Sequence, residues 1–268
     1  MKIKSSTMDK VFVTCNTIFL VLFVTITLYP VLNTVALSFN DGIDAVRGGI
    51  HLWPRIFTLS NYKTVLHQQN ILTGAVVSVA RTVLGTIFAL VTNALLAYII
   101  SRKRFLFRSQ LSLFWVITMY VNGGMIPTLI LYRNMNLTNS YAGLIMVYAG
   151  SSGLGYLICK GFFDTVPVAL REAAKLDGAS EARIFFQIVI PMSRPILVYT
   201  IINSFLTPWT DFVVAKMILN SGVSSDWTVA IGLYNMLQKA LVNSYFSRFC
   251  AGGVLVAVPI SILFVIMQ

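Results

Sequence analysis

The sequence predicts an all-α polytopic membrane protein: six transmembrane helices, both termini cytoplasmic, and a cytoplasmic polar elbow between the fourth and fifth helices. Three observations carry this. Of 268 residues, 57% are hydrophobic and only 11% charged, against about 25% charged in average soluble domains. Apolar runs long enough to span a bilayer, roughly 20 residues each, recur along the whole chain. Lys and Arg collect at one set of run ends, twelve on the predicted inner side against seven on the outer, as the positive-inside bias requires.

The first span is expected over about 11–36, after Lys2, Lys4 and Lys10. It is too long for a signal-peptide core and no clear cleavage site follows, so it reads as a retained anchor with its N-terminus inside. Pro30 should bend it. Residues 37–70 are more polar and belong outside. A short interfacial helix is expected over 59–66, with Trp53 and Tyr62 at headgroup level. The second span, 72–100, contains Arg81. An intramembrane arginine is costly and faces protein or water. Two readings stand: a pathway or gate residue, or a structural partner for a carboxylate or for helix-end carbonyls.

Arg102, Lys103, Arg104 and Arg108 mark the next inner loop. The third span, 111–132, is interrupted by Asn122-Gly123-Gly124 and Pro127. Non-helical backbone at membrane depth needs protein or a wet cavity against it. The break should therefore face the bundle interior, as a plain kink or as a substrate contact. The fourth span, 140–163, carries Gly143, Gly150, Gly153 and Gly155, which give small-residue faces for close helix packing. In the fifth, 196–219, Tyr199, Asn203, Thr207 and Asp211 recur every fourth residue and share a face, with Pro208 expected to break the helix beside Trp209. That stripe either lines a pathway or holds helices together. Residues 220–247 return outside, with a loop at Ser225-Asp226-Trp227 and an interfacial helix over 234–241. The sixth span is 249–268.

Several function classes fall away. The net charge of +11 forms no basic stripe with interleaved aromatics, so no nucleic-acid partner is expected. Cys15, Cys159 and Cys250 lack metal-ligand spacing and form no disulfide framework. His51 and His67 are isolated, so no metal site is expected. An intramembrane enzyme would need a Ser/His or paired-carboxylate set, and Asp211 has no intramembrane acidic partner. A secondary transporter would show repeated halves with matching broken helices, which are not apparent.

The elbow, 166–191, is the most informative stretch. Val168 to Leu176 is rich in helix formers, with Thr165 available as a cap and Pro167 in the first turn. Asp177-Gly178 should end it, since glycine enters the left-handed region freely. Ser180 can cap a second helix through Gln187, bounded by Pro191 and Pro195.

The elbow reads Glu172-Ala173-Ala174, three residues, Gly178, nine residues, Ile188, one residue, Ile190-Pro191. This resembles the EAA motif of ATP-binding-cassette (ABC) importer permeases, EAA-x3-G-x9-I-x-L-P, with Ile190 as the single departure. Six matched positions arise by chance about once in tens of thousands of chains. Leu28-Tyr29-Pro30, Leu37-Ser38-Phe39-Asn40 and Phe57-Thr58-Leu59-Ser60-Asn61-Tyr62 look like the opening of carbohydrate permeases of the maltose type. Residues 139–145 (NSYAGLI) and 209–212 (WTDF) do too. Residues 47–54 (RGGIHLWP) and 120–124 (YVNGG) look like the branch handling complex oligosaccharides, alginate among them.

The resemblance implies a single transmembrane domain over 1–268 in the bacterial cytoplasmic (inner) membrane, importing a sugar or oligosaccharide. The elbow would be the coupling helix. Glu172 and Asp177 would offer acceptors to an ATPase partner, and Arg171, Lys175 and Arg183 complementary charge. Ala173, Ala174, Gly178, Ile188 and Pro191 complete the motif. Phe185 and Phe186 would either anchor the partner or pack on the chain's own bundle. Arg81, Asn122, Tyr199, Asn203, Thr207, Trp209 and Asp211 would contribute to the pathway. The chain has no G-x-x-x-x-G-K-[ST] phosphate loop, so it is expected to be no enzyme and to bind no cofactor. ATP and Mg would sit on two partner ATPase subunits, beside a second related permease, a solute-binding protein and the lipid bilayer. An amino-acid or peptide permease would share the elbow, and only the flanking matches favour sugars.

Overall fold

The computed structural model describes residues 7–67, 71–121, 123–150, 152–219, 228–243 and 245–267. Within them every regular element is helical. In order these are α1 (Thr7–Ser38), α2 (Gly42–Val46), α3 (Ser60–Leu66), α4 (Ile71–Ser101), α5 (Arg108–Tyr120) and α6 (Met125–Asn134). Then come α7 (Tyr141–Ala149), α8 (Gly153–Thr165), α9 (Val168–Leu176) and α10 (Glu181–Ile184), continued by a π-helical turn over Phe185–Val189 into α11 (Ile190–Met192). The rest are α12 (Arg194–Thr210), α13 (Val213–Ile218), α14 (Val229–Asn243) and α15 (Phe246–Met267). Three helices, α1, α4 and α15, are long and apolar enough to cross a membrane. Three bent pairs, α5 with α6, α7 with α8, and 181–192 with α12, raise the candidate crossings to six.

The chain divides into two compact units, Met1–Gln69 with Leu233–Pro259, and Asn70–Gly232 with Ile260–Gln268. In the first, α1 runs as one helix with Pro30 inside it. The hydroxyls of Thr14, Thr17, Thr25, Thr27 and Thr34 bond back to carbonyls within the helix, Thr14 donating to Lys10 and Thr25 to Val21. A span in lipid requires this, because no water is there to take the bond. After α1 the chain folds on buried amides. The Asn40 side chain accepts from the backbone N–H of Arg55 and Ile56 and donates to Asp44, while Arg55 pairs with Asp44 at 3.0 Å. Asn61 donates to the carbonyls of Ser38 and Asn40. The predicted interfacial helix is α3.

In the second unit α4 is the mast, packed against α12, α7 and α8. Between apolar helices in lipid, close approach matters more than water exclusion, and Gly153 of α8 shows it: a Cβ there would lie 2.8 Å from the Trp115 carbonyl of α5. Gly143 instead admits the loop before α7, where a Cβ would lie 1.9 Å from the Leu137 carbonyl. Gly150, by contrast, faces open space.

Four expectations are corrected. The fourth span, expected whole, is two helices, α7 and α8, bent by 42°, whereas the interruption expected in the third is there, α5 and α6 meeting at 117°. The side chains around that break, Tyr120, Val121, Met125 and Ile126, are exposed rather than facing the interior of this chain. The break expected at Pro208 in the fifth span comes later: Pro208 lies inside α12, and the chain turns extended at Asp211 before α13. The helix expected over 234–241 is the middle of a longer one, α14. Lys2, Lys4, Asn122, Ser225-Asp226-Trp227 and Gln268 lie outside the described residues.

Candidate functional site: an elbow and a polar groove

The elbow is built as its sequence dictates. Helix α9 covers Val168–Leu176, and Gly178 follows at φ +78°. The Ala179 N–H donates to the Ala174 carbonyl at 2.9 Å and the Gly178 N–H to the Lys175 carbonyl at 3.0 Å. These two bonds form the Schellman closure of a helix C-terminus, whose left-handed residue is best a glycine. The spacing from Ala174 to Gly178 is thus the spacing of that closure. Ala174 and Ala179 both pack on the apolar core beneath, the contact that usually accompanies this motif. Ser180 caps α10, accepting from the Arg183 N–H. Thr165 does not cap α9. It ends α8, its hydroxyl donating to the Phe162 carbonyl, and the cap position of α9 falls to Pro167. Pro191 does not end the second helix either. The Ile190 N–H reaches back to the Phe185 carbonyl, and this π-turn lets the helix run into the proline, which has no N–H to offer. The helix then turns by 85° at Ser193 into α12.

One face of the elbow is core. Tyr98, Ile100, Tyr156, Phe163, Ile184, Phe185 and Val189 form a buried cluster. Phe185 is 5% exposed, with its ring 4.8 Å from that of Tyr98, whereas Phe186 is 65% exposed. Of the two phenylalanines, then, Phe185 packs on its own bundle and Phe186 presents a surface. Arg171 is likewise turned inward at 7% exposure, its guanidinium donating to the carbonyls of Phe163 and Val166 at the end of α8. A cation suits a helix C-terminus. Burial, and the charge of Arg102, lower its pKa. Glu172, Ala173, Asp177, Gly178 and Arg183 face outward, and Ile188 is half-buried.

Sequence reasoning missed two features here. Leu176, between the motif alanines and Gly178, is 89% exposed at the elbow's tip. Its apolar side chain beside Asp177 was the available signal. Glu181 is a hub: its carboxylate accepts from Tyr98 at 2.9 Å, pairs with Lys175 at 2.6 Å and contacts Arg102. This lattice fastens the elbow to the end of α4.

The second candidate region is a groove of about 420 Å³ along α12. Tyr199, Asn203 and Thr207 line it together with Asn93, Tyr148 and Ser204. Asn203 and Thr207 also bond back to the carbonyls of Tyr199 and Asn203. Of the other predicted pathway residues, Arg81, Trp209 and Asp211 lie off this groove, and Asn122 is outside the described residues. Arg81 is 1% exposed and donates to the carbonyls of Pro208 and Asp211. It therefore ties off the carbonyls where α12 ends. Asp211 caps α13 by accepting from the N–H groups of Val213 and Val214, and its other oxygen accepts from the Tyr148 hydroxyl. Trp209 is buried, stacked on Phe205 at 5.7 Å. These three residues hold the break together. No metal-binding cluster occurs among the described residues.

Comparison with known proteins gives a consistent picture. Residues 81–268 match the family described as binding-protein-dependent transport system inner membrane component. The galactooligosaccharides transport system permease protein GanQ of Bacillus subtilis is 32% identical over 249 residues, covering 91% of this chain and 86% of that protein. The polygalacturonan/rhamnogalacturonan transport system permease protein YtcP of the same species is 33% identical, covering 80% and 73%. A crystal structure of a bacterial ABC transporter involved in the import of the acidic polysaccharide alginate contains a chain of the same fold. Its TM-score is 0.86 at 22% identity, over 100% of this chain and 99% of that one.

Proposed function

The chain belongs to the family of binding-protein-dependent transport system inner membrane components, and on that premise we propose how it works as the permease subunit of an ATP-driven oligosaccharide importer. The observation that carries the proposal is the elbow. Its inner face is locked into the core at Phe185 and Arg171, while Glu172, Leu176, Asp177 and Phe186 are left outward. Its second half, 181–192, meets α12 at 85°, so a push on its outer face would tilt that helix. We assign it to the cytoplasmic side, consistent with the excess of Lys and Arg there and with both termini inside. Leu176 and Phe186 would enter apolar pockets on an ATPase subunit, and Glu172 and Asp177 would accept hydrogen bonds around them.

The remaining parts follow from what one chain lacks. ATP and Mg are assigned to two ATPase subunits, and the chain itself is read as binding no cofactor. A second, related permease would complete the pathway, a solute-binding protein would deliver cargo, and residues 1–268 would act as one transmembrane domain. The relatives' named cargoes favour saccharides over amino acids or peptides. The α12 groove supports a saccharide too, since hydroxyls, amides and tyrosine rings suit sugar hydroxyls and ring faces. An acidic sugar such as alginate would draw its counter-charge from elsewhere, because no Lys or Arg lines the groove among the described residues.

The test is to purify the complex with its binding protein, reconstitute it, and measure ATPase stimulation by neutral and acidic oligosaccharides, amino acids and peptides. Stimulation by saccharides alone is expected. Stimulation by peptides, or hydrolysis indifferent to every ligand, would overturn the reading.

A further inference from the structure

Beside the elbow lies a cleft of about 660 Å³ whose wall on one side is the elbow's own Arg171, Glu172 and Lys175. It sits where α4 ends at Ser101 and α8 ends near Asp164, between the α4–α5 loop and α9. Six cationic and three anionic side chains line it. Two of the three carboxylates are already engaged, Asp164 by Lys160 and Glu181 by Arg102 and Lys175. Lys103, Arg104 and Arg108 form no ion pair among the described residues. The cleft therefore carries an uncompensated positive charge.

Two further observations point to a ligand. Arg171 is more than nine-tenths buried in the cleft wall, and its Nε meets no acceptor, nor does that of Arg102. A buried cation with an unmet donor is costly, and an anion in the cleft would offset the positive field of these guanidiniums and relieve the crowding of like charge. The loop that brings Arg104 and Arg108 reads Arg102-Lys103-Arg104-Phe105-Leu106-Phe107-Arg108, and Leu106 is 88% exposed with Phe107 exposed beside it. Apolar side chains projecting among unpaired cations at the end of a span match the boundary between acyl chains and headgroups, and basic pockets between spans are where anionic headgroups bind.

We propose that this cleft binds the phosphate headgroup of an anionic phospholipid, held by Arg104 and Arg108 above the buried Arg171, with Leu106 and Phe107 against its acyl chains. The proposal rests on α4 and α8 crossing the membrane and not on the elbow's role toward an ATPase, so either can fail alone.

The test uses the full permease–ATPase complex in detergent, offered phosphatidylglycerol and phosphatidylcholine in equal amounts, with bound lipid read by native mass spectrometry. Phosphatidylglycerol should be retained in preference. The R104Q/R108Q pair should lower its apparent affinity roughly 30-fold, the effect of two cations near an anionic surface. R104K/R108K should keep most of it, and ATPase co-elution confirms that both variants assemble. Equal retention of the two lipids, or full retention by R104Q/R108Q, overturns the proposal. Displacement by equimolar inorganic phosphate would make the cleft a soluble-anion site and overturn the lipid assignment. Binding seen only after the ATPase subunits are stripped away would give the cleft to the protein partner and overturn it equally.

Discussion

Gly178 separates two reasons for keeping a glycine. A Cβ there would meet nothing within 4 Å, yet φ is +78°. Within this chain the demand is conformational, costing an alanine or valine about 1 kcal/mol or somewhat more. Asparagine visits that region more readily. Substitution by Asn, Ala and Val should therefore lower uptake per ATP hydrolysed in that order, with Asn closest to wild type. If Asn were as damaging as Val, the glycine would instead be needed for close approach of a partner. Glu181 offers a second test. Burial raises its pKa, but hydrogen bonds from Lys175 and Tyr98 and the charge of Arg102 outweigh it and leave it below the ordinary 4.5. A lowered carboxylate pKa stabilises the folded elbow above about pH 4.5, and that contribution is lost as pH falls through the lowered value. Limited proteolysis should find the elbow more susceptible at that acid limb in wild type. E181Q should be susceptible at both ends of the range and show no such step.

At the scale of the element, α12 shows how a polar stripe can mislead. Spacing alone put Tyr199, Asn203, Thr207 and Asp211 on one face, and the first three do share a groove. The fourth lies beyond the helix end, where it caps α13 and meets Tyr148. Arg81 completes that junction from α4 by taking up the last carbonyls of α12. Removing a buried donor from such acceptors costs about 1–3 kcal/mol. Arg81→Met should therefore lower the thermal midpoint of the purified complex and leave less of it assembled. Asn203→Leu should leave the midpoint unchanged while altering uptake. An Arg81→Met protein that is as stable as wild type but inactive would return the arginine to the pathway. The same contrast explains what was legible. Helix boundaries in the elbow followed from local rules: α9 matched its predicted limits, and Gly178 and Ser180 acted as stop and cap. The inward turn of Arg171 and Phe185, the Glu181 hub and the end of α12 depend on groups 60 to 130 residues away or on the direction a side chain takes. Periodicity in one segment carries no information about either.

For the whole molecule, the decisive feature is a surface this chain leaves uncovered. The α5–α6 break falls within an apolar stretch, Gly124 takes φ +87°, and Tyr120, Val121, Met125 and Ile126 around it are exposed. Irregular backbone at membrane depth is tolerated where it is buried in protein or lines a wet cavity, not against lipid. The expectation that it faced this chain's own interior failed. The physical constraint still holds, so the cover must come from a wet cavity or from another membrane chain. A second permease subunit against α5 and α6 meets the requirement, and the prediction is that assembly shields Ile126. The design places a cysteine there in a Cys15→Ser background, since Cys159 and Cys250 are buried. A water-soluble maleimide should label Ile126→Cys quickly in the detergent-solubilised chain alone and several-fold more slowly once the second permease is bound. A cysteine at Leu176, exposed at the elbow's tip, serves as the reference and should react equally in both. Equal labelling of Ile126→Cys in the two preparations would mean that the break opens onto water. It would then be part of the pathway rather than of the subunit interface, and the second permease would have to dock elsewhere.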